Sequence, residues 1–204
     1  KDVEPEVFKL LKSAGMESVI LAVDNFSQSV LSRYQKYSNV ADNLRSIEVL
    51  KDLGIDAYLG IIMFDPHTTL GELVENFQAM MDIHPFLRPW QILSKLEVYH
   101  GSKLTVTLEE QGLLDKKGYY STYEFVDPRI ASVYTAIENF IKEAYPAMTE
   151  LDLLRWGNLG YSEPDQLVLD YCNDELIEIS QEYNRGILSI ALDIVNKQKE
   201  SETV

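Results

Sequence analysis

Three short polar clusters stand where apolar runs stop, and each carries groups able to hold a ligand or move a proton. The first is Asp24-Asn25-Phe26-Ser27, at the end of the run from Ser18. The second is Asp65-Pro66-His67-Thr68-Thr69, after Ile55 to Phe64. The third is the alternation Lys95-Leu96-Glu97-Val98-Tyr99. A carboxylate at such a position could accept hydrogen bonds from a ribose, and His67 could serve in acid–base work. Each residue also has a plainer reading. Asp24 suits an Asx turn or cap, Thr69 a helix cap, and His67 an ordinary loop residue. Lys95 and Glu97 suit an interior ion pair or a wetted strand face, and Tyr99 suits packing.

The elements that must position these clusters follow from periodicity. Val3 to Ala14 reads as a helix stopped by Gly15, and Ser18 to Asp24 as a strand with Val19, Leu21 and Val23 on its apolar side. Helices are expected over Gln28 to Tyr37 and Val40 to Leu53, then a strand over Ile55 to Phe64. Thr69 and Glu72 form a capping box for a helix ending near Ile83, where His84-Pro85 and Arg88-Pro89 stop it. Gln91 to Tyr99 reads as a third strand. Strands separated by helices pair in parallel, and ligands of such sheets lie at the carboxyl ends of the strands. On the phase opposite the apolar one, Asp24, Tyr58, Lys95, Glu97 and Tyr99 are expected to point inward.

Beyond Gly101 the pattern changes. A short helix is expected over Leu104 to Gln111, and a strand or ordered turn over Gly118 to Val126. A helix should run from Pro128 to Ala144, stopped by Tyr145-Pro146, with another over Thr149 to Trp156. A long helix opens at Glu163-Pro164, with Gly186 as a candidate break and an apolar stripe through Leu169, Leu176, Tyr183, Ile187, Ile190 and Ile194. Tyr119, Tyr120, Tyr123 and Trp156 read as core of this extension. From Ala147 onward 12 acids face 4 bases, which concentrates there about half of the net charge of −15. That acidity argues against nucleic acid or an anionic membrane as partner. No apolar run reaches membrane-spanning length, and no leader pattern is present, so a cytoplasmic protein is expected. Cys172 is the one cysteine, which excludes an internal disulfide framework or a Cys-ligated cluster built from this chain alone. The spacing of His67, His84 and His100 suggests no metal site.

The stretch from Ala14 to Leu73 resembles the second half of a radical S-adenosylmethionine enzyme barrel. Such proteins read as a strand ending Gly-Val-Glu-Ser, then a Leu and a Lys, a helix ending Gly-Ile, and a strand into Gly-Leu-Pro-Gly-Glu-Thr. Here Ala22-Val23-Asp24-Asn25 ends the strand, Leu31 and Lys36 follow, Leu53-Gly54-Ile55 ends the helix, and Phe64 to Thr69 occupy the turn. Leu96 to Leu104 and Leu108 to Leu114 resemble the next strand exit and helix, so the resemblance covers roughly residues 5 to 114. The Asp-Pro-x-Thr-Thr turn is similar to that of members carrying an upstream cobalamin-binding domain. Two positions depart from the pattern: aspartate replaces the strand-end glutamate, and Phe64 replaces the turn glycine.

The resemblance implies an α/β fold: about three βα units of a partial TIM-like barrel over 1–114, then a mostly helical acidic extension over 115–204. The superfamily's Cys-x3-Cys-x2-Cys loop and its 4Fe-4S cluster would belong to a missing amino-terminal half, as would be expected of a chain that begins at Lys1. By itself the chain could not cleave S-adenosylmethionine, and the cofactors are expected only in the parent. On this reading Asp24, Asn25, Asp65, Thr68 and Glu97 lie on the cofactor side, and Lys95, Tyr99 and His67 on the side of a small-molecule or peptide substrate. The alternative is a non-catalytic interaction domain that dimerises through exposed sheet edges. An ordinary barrel aldolase or isomerase requires more strands than these.

Overall fold

The computed structural model describes residues 3–83, 88–117, 120–157 and 166–201. Helix α1 (Pro5–Ser13) leads through Gly15, at φ +98°, into strand β1 (Ser18–Asp24). Helices α2 (Gln28–Arg33) and α3 (Val40–Asp52) follow, and Gly54, at φ +64°, turns the chain into strand β2 (Asp56–Ile61). Both glycines take a backbone conformation that a side chain resists, and both sit just past a helix end. β1 and β2 pair in parallel, Ser18 with Asp56 through Ala22 with Gly60. One residue is then skipped, so that Asp24 pairs with Ile61. The apolar phase is the buried one: Val23, Leu59 and Ile61 enter the core, whereas Ile20 on the opposite phase is 73% exposed.

Helix α2 is shorter than its apolar pattern suggests. Gln35 at φ +55° closes it, with the Gln35 N–H donating to the Ser32 carbonyl and the Lys36 N–H to the Leu31 carbonyl. Those two bonds make a Schellman ending, with glutamine where glycine is usual. Helix α4 (Leu70–Ile83) starts at the expected box: the Thr69 N–H donates to the Glu72 carboxylate at 2.9 Å, and the Glu72 N–H to Thr69 Oγ1 at 3.2 Å. Leu70, Leu73, Phe77 and Met80 bury one face of it.

The third strand is a correction. In place of a strand over Gln91 to Tyr99 there is a short helix α5 (Pro89–Ile92) and a single parallel bridge between Phe64 and Lys95. Arg88 is extended before Pro89, as a residue preceding proline must be. Gln91 then accepts the Arg88 N–H at 2.6 Å and donates to the Leu59 carbonyl at 2.6 Å. Anchored this way, the segment rejoins the sheet at Ser94, whose carbonyl accepts the Met63 and Phe64 N–H groups at 3.0 Å, and at the Leu96 N–H, which donates to the Phe64 carbonyl at 2.8 Å. The fold is α/β, with two parallel strands and a third position reduced to one bridge among the described residues.

The extension begins with helix α6 (Lys103–Glu110), capped by Ser102, and a hairpin of β3 (Leu114–Lys117) and β4 (Tyr120–Tyr123). That hairpin replaces the single strand or turn expected over Gly118 to Val126. Helix α7 (Pro128–Gly157) then runs straight through Pro146, and α8 (Gln166–Glu200) through Gly186. An interior proline forfeits one backbone bond and crowds the preceding turn. Here Ile141 and Met148 on either side are buried, and Tyr183 of α8 donates to the Ala144 carbonyl at 3.3 Å, so packing holds the helix together. The buried stripe of α8 is Ile187, Leu188, Ala191 and Val195; Ile190, expected in it, faces out. These residues join Val23, Leu59, Phe64 and Phe77 in one apolar core. His84, Pro85, Tyr119, Glu163, Pro164 and the side chains of Tyr120, Trp156 and Cys172 lie outside the described residues.

Candidate functional site

Two strand exits, from β1 and β2, lie side by side, because the Ile62 N–H donates to the Asp24 carbonyl at 2.7 Å. The β2 exit is closed on itself. The Asp65 carboxylate is 2% exposed and accepts from Arg33 Nη2 at 2.9 Å, Arg33 Nε at 3.1 Å, Tyr34 Oη at 2.7 Å and the His67 N–H at 2.7 Å. Thr68 Oγ1 accepts the Asp65 N–H at 2.7 Å. Arg33 continues to Glu72 at 3.0 Å, where Ser29 Oγ also donates at 2.6 Å. Burial opposes the charge of Arg33, yet the two carboxylates hold its pKa above the usual value. Burial likewise opposes the charge of Glu72, and the bonds from Arg33, Ser29 and the Thr69 N–H outweigh it and lower that pKa. Burial, reinforced by Asp65, raises the Tyr34 phenol well above its ordinary range. From above, the Val126 N–H donates to the Pro66 carbonyl at 2.8 Å and Tyr123 Oη to the Phe64 carbonyl at 3.1 Å.

The β1 exit has the opposite character. Its backbone is pinned by three asparagines: Asn43 Nδ2 donates to the Val23 and Asn25 carbonyls, Asn76 Oδ1 accepts the Phe26 N–H at 2.8 Å, and Asn25 Oδ1 accepts the Ser27 N–H at 2.7 Å while its Nδ2 donates across to the Ile62 carbonyl at 2.8 Å. The Asp24 side chain is left at the rim, 16% exposed, with Lys36 Nζ 2.9 Å from Oδ2 as its partner among the described residues.

Of the residues expected on the cofactor side, Asn25, Asp65 and Thr68 are therefore buried and hydrogen-bonded within the chain, holding the turns. Asp24 and Glu97 retain access. Glu97 accepts from Tyr99 Oη, an exposed pair on the third strand position. On the substrate side, Lys95 does not pair with Glu97 but lies 4.0 Å over the Tyr134 ring and 5.1 Å over Phe125. Phe64 meets Tyr134 edge-on at 5.1 Å in the same cluster. His67 Nε2 lies 2.8 Å from Gln111 Oε1, which ties α6 to the rim. Arg33, Tyr34, Asn43 and Asn76 were not legible as site residues. Their one signal is a polar residue set among apolar neighbours, as Asn76 is between Leu73 and Phe77.

No protein-family model matches the chain. No curated protein matches it either. Among solved structures it is similar to a cobalamin-dependent S-adenosylmethionine radical enzyme, OxsB, with aqua-cobalamin bound, at 17% identity and a TM-score of 0.59. The same enzyme with aqua-cobalamin and S-adenosylmethionine bound gives 18% and 0.59. The fold is similar to that of part of this radical enzyme. Each superposition covers 87% of this chain but 30% of the enzyme, so the chain spans under a third of the length of the radical enzyme it matches. Among the described residues no helix is long and apolar enough to cross a membrane, and no group of three or more His, Cys, Asp or Glu could hold a metal ion.

Proposed function

We propose that the chain is the carboxyl-terminal part of a cobalamin-using radical S-adenosylmethionine enzyme, in which it presents strand-end groups to the cofactor and to substrate. The observation that carries this reading is the fold likeness over 87% of the chain, joined to a carboxylate, Asp24, standing accessible at the end of a parallel strand. The residues fit part of the cofactor set only. A carboxylate with one cationic partner is a donor-seeking group suited to ribose hydroxyls. A 4Fe-4S cluster does not fit, since the sequence holds a single cysteine. The reading therefore assigns the cluster to polypeptide outside this chain. Bound S-adenosylmethionine would supply the adenosyl group for radical chemistry. Asp24 would orient its ribose and Glu97 would lie alongside. Lys95, Tyr99 and His67 would meet substrate, and the buried Arg33 network would keep the rim rigid. Residues 1–114 would form barrel units and 115–204 the helical extension packed on them. A cytoplasmic location belongs to the same reading and is supported by the lack of a disulfide framework.

The test uses the complete gene product, purified without oxygen, with iron analysis and equilibrium binding of S-adenosylmethionine. Bound iron and a cofactor affinity that falls at least about fivefold in Asp24→Ala are expected, as for loss of one charge-assisted hydrogen bond. Absence of iron, or unchanged affinity, contradicts the proposal.

A second reading is favoured by one observation. β1 has β2 as its only strand partner among the described residues, and Ile20 on β1 is an exposed apolar side chain, as are Val7 and Leu10 on α1. A second copy of the chain could pair there, giving a binding module that is not catalytic. A dimeric complete gene product, lost on Ile20→Lys, and binding no S-adenosylmethionine, would establish that reading in place of the first.

A further inference from the structure

Lys95 carries a cation that the chain does not neutralise. Acidic residues outnumber basic ones 33 to 18, and Glu97 stands two positions away on the same phase. Glu97 instead accepts from Tyr99 Oη, and no carboxylate of the described residues pairs with Lys95. Its ammonium lies over two rings, 4.0 Å from the centroid of Tyr134 and 5.1 Å from that of Phe125. A ring face attracts a cation through its quadrupole but has no net charge, so the positive charge of Lys95 persists. The N–H donors that a carboxylate would have taken up also remain.

Both the lysine and the rings are held in place. The Lys95 backbone bridges Phe64, between the bonds made by the Ser94 carbonyl and the Leu96 N–H. Tyr134, on α7, meets the fully buried Phe64 edge-on at 5.1 Å. Phe125 lies 6.0 Å from Phe64 and 6.1 Å from Tyr123, whose hydroxyl donates to the Phe64 carbonyl. Beside it the Val126 N–H donates to the Pro66 carbonyl at 2.8 Å. The extension therefore lays its rings against the β2 exit, and they seat an exposed cation at that rim. A lysine side chain in water is spread over many rotamers. One resting on a ring face keeps its charge where an incoming group can meet it.

We infer that Lys95, seated by Tyr134 and Phe125, receives an oxyanion of the substrate, a carboxylate or a phosphate. The inference deepens the proposal that Lys95 meets substrate and rests on that reading. An oxyanion suits the seat because it accepts charge-assisted hydrogen bonds from the ammonium while the rings stay beneath it. Tyr134 and Phe125 act through Lys95 and are positioning residues, which gives the helical extension a part in substrate choice.

The experiment labels the complete gene product sparingly with N-hydroxysuccinimidyl acetate and reads each lysine by mass spectrometry. Sodium phosphate, sodium acetate and sodium chloride are compared at one pH and one ionic strength, so that general screening is the same. The exposed Lys51 and Lys103 are internal controls. Phosphate or acetate should slow Lys95 labelling about threefold at about 20 mM, as for a site with a Kd of about 10 mM, and leave both controls unchanged. The stronger protector of the two identifies the oxyanion. Tyr134→Phe should protect as the wild type does, because the ring face and not the hydroxyl seats the cation. Tyr134→Leu should lose the protection. S-adenosylmethionine in place of the salts should leave Lys95 labelling unchanged.

No slowing at Lys95, or equal slowing of all three lysines, overturns the site. Protection that survives in Tyr134→Leu overturns the role of the rings. Protection by S-adenosylmethionine assigns the oxyanion to the cofactor and overturns the claim about substrate. A gene product that shows the phosphate or acetate protection but binds neither iron nor S-adenosylmethionine keeps the anion site while the radical-enzyme reading falls. Iron and cofactor binding without that protection does the reverse.

Discussion

The two strand exits have nearly the same chemistry in one dimension and opposite roles in three. Each begins with an aspartate, each carries hydroxyl side chains after it, and each precedes a helix. At the β2 exit the carboxylate is sealed under Arg33 and Tyr34, its oxygens spent on bonds within the chain. At the β1 exit the backbone is pinned by Asn25, Asn43 and Asn76, and the carboxylate remains at the rim. What separates the sealed turn from the open one is where its long-range partners attach. Partners on the side chain use the group up; partners on the backbone leave it available.

The comparison breaks most visibly at Arg33. Arg33→Met strands Asp65 and Glu72, two buried carboxylates, without their cation. The loss should be about 2–3 kcal/mol, below the full buried-pair value because the guanidinium is partly exposed, and is read as a fall of roughly 5–10 °C in melting temperature. At the β1 exit the matching variant is Asn43→Ala, which leaves the Val23 and Asn25 carbonyls without that donor. About 1–2 kcal/mol should be lost in a urea titration, together with faster amide exchange from 23 to 27.

A smaller effect is the pH response. The Glu72 pKa is lowered in the fold, so its contribution to stability is complete above the ordinary glutamate range and is lost as pH falls through the folded value. Wild type should therefore lose stability below about pH 4 more steeply than Glu72→Gln, measured as urea midpoint against pH. Smallest of all is Lys36→Met, whose stability change should stay under about 1 kcal/mol in the same titration, since its pair with Asp24 is partly exposed.

How much of this could be read in one dimension divides along the same line. Local rules were sufficient for β1, for the Thr69–Glu72 box and for the glycines that end α1 and α3, because each depends on residues within a few positions. The third strand failed because Gln91, which looks like a strand residue, is captured by Arg88 beside it and by Leu59 on the neighbouring strand. Pro146 was misleading for a related reason: packing against α8 outweighs a local penalty that assumes an isolated helix. The strand-end position of Asp24 was legible, because β1 follows from local alternation. The occupancy of Asp65 was not, because Arg33 and Tyr34 lie more than thirty residues away in sequence.

The central claim is that Asp24 meets the ligand and Asp65 holds the fold. The direct measurement is a paired one on the complete gene product: S-adenosylmethionine affinity and melting temperature for Asp24→Asn and Asp65→Asn. Asp24→Asn should lose affinity at nearly unchanged melting temperature, and Asp65→Asn should melt several degrees lower, about 1.5–3 kcal/mol for its charged hydrogen bonds, with affinity retained wherever it is folded. Loss of affinity in a fully folded Asp65→Asn, with Asp24→Asn binding normally, would contradict the account.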